Sequence, residues 1–183
     1  MQRISLLFPF LILCLVSFMQ AQTTAPKPDP ELKKLHFLLG HGTYEGEAKA
    51  TPLGPAGKFS GEQTTQEILG GFFLEARWTE KNPGGANRGL FVIGYDPASK
   101  NYTITAFAND GSVESDTSTL QGNTFTMTGK LSFGGKQYLT RVTETWTADW
   151  TSCTRKTELS TDGNTWSPWY ESKFTLDKAA AKK

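Results

Sequence analysis

Histidine is almost missing from this sequence: His36 and His41 are the only two in 183 residues. A zinc pair on a helix needs its ligands four apart, so that both rings share a face. Five residues spanning Gly40 give no such geometry, and no metal site is expected. Charge of one sign is missing as well. With 19 Lys and Arg against 18 Asp and Glu, the formal net charge is +1, which leaves no electrostatic footprint for nucleic acid or an anionic membrane. No G-x-S-x-G elbow, phosphate loop or H-E-x-x-H stretch occurs, so no catalytic residue is assigned. Cysteine is reduced to Cys14 and Cys153.

Cys14 falls in the one long apolar run, "ISLLFPFLILCLVSFM", which follows Arg3 and precedes the polar, proline-rich "QAQTTAPKPDP". The run reads as a secretory signal peptide, residues 1–21, cut near Ala21. Met19, three before the cut, is larger than usual there, and an uncleaved N-terminal anchor is the alternative. Cys14 is not a lipidation site, because Leu13 precedes it and it sits inside the run. The mature chain then keeps Cys153 alone, without a disulfide, and its stability must come from its core. The expected location is periplasmic or secreted, with no stable membrane insertion after cleavage. N-terminal sequencing of the exported protein should begin near Gln22, and a mature form retaining Met1 would contradict this.

Aromatic residues make up 12% of the chain and glycine contributes 18 residues, a composition suited to strands and turns. After a linker (residues 22–31), "DPELKKLHFLLG" offers one short helix. Asp29 can cap it, Pro30 can take its first position, Leu32, Leu35, Leu38 and Leu39 share a side, and Gly40 ends it. Beyond Gly42 the hydrophobic period is two. About ten segments, from "GTYEGEAKA" to "PWYESKFTL", read as strands, separated by turn signals such as "NPGGAN", "NDG", "QGN" and "TDGN". The fold class is all-β, an antiparallel up-and-down barrel over residues 32–176 with a solvated tail over 177–183. Closure is favoured because an open sheet of that length exposes two edges.

Alternation assigns the inward rows. Leu74, Ala76 and Trp78 share a side, as do Tyr102, Ile104, Ala106 and Ala108, and Phe125, Met127 and Leu131. In "QYLTRVTETW", Tyr138, Val142, Glu144 and Trp146 fall together, so a carboxylate stands in an inward row. If the following turn centres on Asp149 and Trp150, Trp146 faces Cys153 and Glu144 faces Arg155. That pair is either a cross-strand ion pair supporting the core or the polar anchor of a ligand cup. No second inward acid is placed beside it. "STDGNTW", Ser160 to Trp166, is a hairpin turn with a core tryptophan.

"FLLGHGTYEGE", "EILGGFFLEARW", "LFVIGYDPASKNYTITAFANDGS" and "STDGNTWSPWYESKF" together resemble a bacterial family of unknown function with a calycin-like, lipocalin-related barrel. The resemblance implies that Gly42-Thr43-Tyr44 matches the G-x-W opening of such barrels, with Tyr44 plugging the base. The related nitrobindins hold haem through a late histidine; this chain has none after His41, so no cofactor is expected.

The function expected is binding of a small, largely apolar molecule without catalysis, at Leu74, Ala76, Trp78, Ile104, Phe125, Met127, Tyr138, Val142 and Trp146, with Glu144 and Arg155 as polar anchors. The alternatives are a scaffold whose barrel is filled by its own side chains, and a small-molecule isomerase or cyclase.

Overall fold

The computed structural model describes residues 26–177; the expected signal peptide and most of the tail lie outside them. Asp29 caps the first helix, its Oδ1 accepting from the Glu31 amide at 2.9 Å, with Pro30 in the first turn. This helix, α1 (Pro30–Lys33), is one turn long, shorter than the leucine spacing suggested. The chain then tightens into a 3₁₀ turn, His36–Leu38. Leu35, Leu38 and Leu39 amides bond to carbonyls three residues back, at 3.0, 2.9 and 3.1 Å. A three-residue repeat stacks positions i and i+3, which puts Leu32, Leu35 and Leu38 on the side facing the barrel.

Ten strands follow: β1 (Gly40–Ala48), β2 (Gly57–Ile68), β3 (Phe73–Asn82), β4 (Gly85–Asp96), β5 (Asn101–Ala108), β6 (Val113–Gln121), β7 (Thr124–Phe133), β8 (Lys136–Trp146), β9 (Ser152–Ser160) and β10 (Ser167–Leu176). Each pairs antiparallel with the next, and β1 pairs with β10, closing the barrel in up-and-down order. The period of two was expected beyond Gly42, but β1 already begins at Gly40 and includes His41. The expected register of the β8–β9 hairpin holds, with Trp146 opposite Cys153 and Glu144 opposite Arg155.

The two ends of the barrel differ. At one, Leu32 and Leu35 are sealed from solvent and pack with Leu74, Ile93, Tyr102, Phe125, Met127 and Val142. Phe37 lies edge-on to Trp146 at 4.9 Å, and the Tyr102 hydroxyl donates to the Glu31 carbonyl at 3.2 Å. This end is plugged by α1 and the 3₁₀ turn. At the other end stand the turns after β1, β3, β5, β7 and β9, with a smaller cluster of Leu131, Tyr138 and Leu159 below them.

The β9–β10 turn is built by Asp162, whose Oδ1 accepts from the Asn164 and Thr165 amides at 2.8 Å each. These bonds hold its carboxyl down at about 2. Trp166 is not a core residue. It lies on the outer face beneath the Arg141 guanidinium, 4.5 Å from the ring centre. The inward tryptophan is Trp169, which a β-bulge between Pro168 and Tyr170 turns towards the interior beside Tyr170.

Candidate functional site

A cavity of about 330 Å³ occupies the half of the barrel away from the helix. Its walls are aromatic: Tyr44 from β1, Phe59 from β2, Trp78 from β3, Phe91 from β4, and Trp169 and Tyr170 from β10. Pro55, Pro83 and Asp110, from three turns, stand at its mouth. Glycines make room for its lining. A Cβ on Gly46 would collide with the Phe59 ring, one on Gly61 with the Tyr44 ring and one on Gly89 with the Trp78 indole.

The inner surface of the cavity is polar. On β8 and β9, Glu144 Oε1 accepts from Arg155 Nε at 2.7 Å and from Arg155 Nη2. Glu144 is 6% exposed. Arg155 keeps 34% of its side-chain surface accessible, because its outer face forms part of the cavity wall. Two further acids approach from β6, where alternation turns Glu114, Asp116 and Ser118 inward. Thr140 Oγ1 donates to Asp116 Oδ1 at 3.0 Å. A hydroxyl has one hydrogen to give, so Glu114 and Asp116, both beside Thr140, must share a single donor. Among the described residues neither Glu114 nor Asp116 forms an ion pair, while Arg155 is engaged by Glu144. The buried Ser118 hydroxyl has no hydrogen-bond partner among protein groups.

The electrostatics follow from this crowding. Burial, then the neighbouring Asp116 charge, push the Glu114 carboxyl up to about 7, with Thr140 and Arg155 pulling the other way. Burial raises Asp116 as well, again opposed by Thr140 and Arg155. Burial also raises Tyr44 and Tyr170. Cys153 is buried and its thiol is pushed up to about 12 by burial, which suits an inert core thiol.

Of the residues expected in a ligand cup, Trp78 and Arg155 line the cavity, and Glu144 holds Arg155 from beneath. Leu74, Phe125, Met127 and Val142 belong to the packed cluster under the helix, with Ile104 against it. Ala76 is fully buried, Trp146 packs on Phe37, and Tyr138 joins Leu131 and Leu159. Tyr44, which the resemblance placed as a base plug, stands on the cavity wall, its hydroxyl 3.4 Å from the Thr79 carbonyl. Phe37, Trp146 and Trp150 close the base instead. Glu114 and Asp116 were not singled out from sequence. Their signal was the alternation in "SVESDTSTL", but the opposite row (Val113, Ser115, Thr117, Thr119) is no more polar, so the pattern had no direction.

The histidines lie outside the cavity. His41 Nδ1 is 2.8 Å from Asp177 Oδ2, and its Nε2 is 3.6 Å from Glu62 Oε2. No group of three or more His, Cys, Asp and Glu able to hold a metal occurs among the described residues. The bond to Asp177 raises the His41 pKa, against a smaller opposing effect of burial. A raised histidine stabilises fully below its unfolded value of about 6.5 and loses that contribution as pH rises through the folded value. His41→Ala should therefore lower Tm by no more than about 2 °C at pH 5.5, and not at all at pH 8.5. Thermal unfolding at the two pH values checks this.

A family model described as "Protein of unknown function (DUF1579)" matches residues 27–155. The chain belongs to this family. The matched segment contains Glu114, Asp116, Glu144 and Arg155, while β10, with Trp169 and Tyr170, follows it. No curated protein sequence matches the chain significantly. Among solved structures, that titled "Crystal Structure of Rv2717c from M. tuberculosis" superposes with a TM-score of 0.57 at 12% identity, covering 83% of this chain and 100% of that one. At that identity the likeness concerns the fold.

The raised Glu114 carboxyl carries a stability consequence. The folded chain binds its proton more tightly than the unfolded chain does. The resulting penalty is absent below about pH 4.5, grows as pH rises, and levels off above about 7. Glu114→Gln removes the ionisable group, so its Tm should exceed that of the parent by a few degrees at pH 8 and match it at pH 4. Thermal unfolding at both values is the check. A lower Tm for the variant at pH 8 would contradict the burial argument.

Proposed function

We propose that the protein is an exported, non-catalytic binder of a small molecule, held in the barrel half opposite the helix with an apolar body against the aromatic walls and a polar head towards Arg155 and Glu114. The observation that carries this reading is the cavity itself: about 330 Å³, at the small end of the usual range for ligand pockets, with rings around it and a few polar groups at one place. A barrel serving only as scaffold would fill this space, as the opposite half is filled by Leu35, Leu74 and Phe125. Burying about 200 Å² of apolar ligand surface contributes roughly 5 kcal/mol before the cost of immobilisation, and the polar head then sets orientation.

Native mass spectrometry of the gently isolated protein tests this. The expected spectrum contains a population heavier by one small molecule, lost in Ala106→Trp, whose indole would occupy the cavity. A single apo mass in both proteins, unchanged on adding aromatic small molecules, would count against the reading.

A further inference from the structure

We propose that the molecule this cavity selects is a small organic cation, an ammonium on an apolar body, with its charge against Glu114 and its body boxed by Tyr44, Phe59, Trp78 and Tyr170. The proposal rests on the binding reading above and names its ligand class.

Charge balance is the first reason. The charged residues lining the cavity are Glu80, Asp110, Glu114 and Arg155, three acids against one base. The base is shared: two of its nitrogens are on Glu144, a fourth acid just beneath the lining, and its charge also acts on Glu114 and Asp116. Asp116 stands behind Glu114 on the same face of β6, with a threonine hydroxyl as its hydrogen-bond partner. Even without Asp110 at the mouth, Glu114, Asp116 and Glu144 share one base in the interior. A buried carboxylate without a cation is held at a cost, and an entering cation removes it. An anionic ligand would add to the imbalance.

The second reason is the wall. Aromatic faces carry negative charge density and attract cations, ammonium groups above all where water is excluded. Phe59 and Tyr170 pack edge to face at 5.6 Å, and Tyr44 lies 6.3 Å from Phe59. Trp78 enters from the next strand, over Gly89. These rings surround the space that the Glu114 carboxylate faces. Apolar walls alone would suit a neutral molecule. Rings together with an acid that makes no ion pair suit a cation.

Glu114 also gives the site a pH signature. Its carboxyl is held near 7; Arg155 remains charged throughout, and the phenols of Tyr44 and Tyr170 are raised above their ordinary range. Asp116, raised by burial, titrates in the same direction. Glu80 and Asp110 complete the acids that face the cavity. If the cation needs Glu114 ionised, the competent fraction rises about tenfold between pH 6 and pH 8, and affinity rises with it.

Calorimetric titration with two probes of one shape decides the question. Benzyltrimethylammonium carries a permanent charge; neopentylbenzene is its neutral isostere. For the full mature chain at pH 8, the ammonium should bind at least tenfold more tightly than the hydrocarbon. Its affinity should fall about tenfold at pH 6, while that of the hydrocarbon changes less than twofold. Glu114→Gln, which is expected to fold at least as stably as the parent, should lose at least tenfold in ammonium affinity at pH 8 and lose the pH dependence, yet keep the hydrocarbon. Asp116→Asn, which keeps an acceptor for Thr140, should weaken the ammonium alone. If the hydrocarbon binds as tightly as the ammonium at pH 8, or if Glu114→Gln leaves ammonium affinity unchanged, the cation proposal is overturned and the binding reading survives. If neither probe binds, both fall.

Discussion

Arg155→Met is expected to lower the stability of the barrel by about 3 kcal/mol, a fall of roughly 6–12 °C in Tm for a chain of this size. The partner left behind is the reason. Glu144 is 6% exposed, and its Oε1 is held by two nitrogens of Arg155. Methionine fills much of the space but offers no donor, which leaves a carboxylate unpaired in a nearly dry position. Glu144→Gln should cost less, about 1–2 kcal/mol, because the guanidinium keeps an accessible face on the cavity. The double replacement removes both charges and should recover part of the loss, since a buried pair exchanged for neutral groups is often close to neutral overall. Urea unfolding of the three variants checks the ordering. A parent-like midpoint for Arg155→Met would mean that Glu144 has another way to be satisfied.

Leu35→Ala should be of similar severity, about 3 kcal/mol. Leu35 lies at the junction of α1 and the 3₁₀ turn and is wholly buried. It packs in the cluster that contains Leu74, Ile93 and Tyr102, so truncation opens a void that the closed barrel around it has little freedom to fill. The N-terminal segment is on this account part of the core, and a single cooperative unfolding transition should persist with a lower midpoint. A loss below about 1 kcal/mol would show that the segment only rests on the barrel mouth.

The barrel was legible in the sequence for a physical reason. One face of each strand looks inward, so a period of two recurs from Gly42 onwards and turn residues mark each reversal. The same periodicity predicted that Glu144 faces Arg155, because a tight hairpin fixes the register on both sides of Trp150. The position of the cavity was not legible. Alternation says that Leu74 and Trp78 point inward but not which of them meets the helical plug and which meets open space. That is decided by the depth to which Leu32, Leu35 and Phe37 enter from one end. Trp169 escaped because a bulge breaks the alternation at Pro168. Glu114 and Asp116 escaped because both faces of β6 are polar; only closure of the ring shows that theirs is the inner one.

Whether the half of the barrel away from the helix holds a small molecule is tested by calorimetric titration of Ala106→Trp beside the parent with the ammonium and hydrocarbon probes. Ala106 lines the cavity and sits opposite Glu114 on β6, so the added indole should occupy the binding space without entering the packed half. The parent should bind one equivalent of probe and the variant none, with a Tm for the variant within a few degrees of the parent. Equal binding by the two proteins, or no binding by the parent, would contradict binding there.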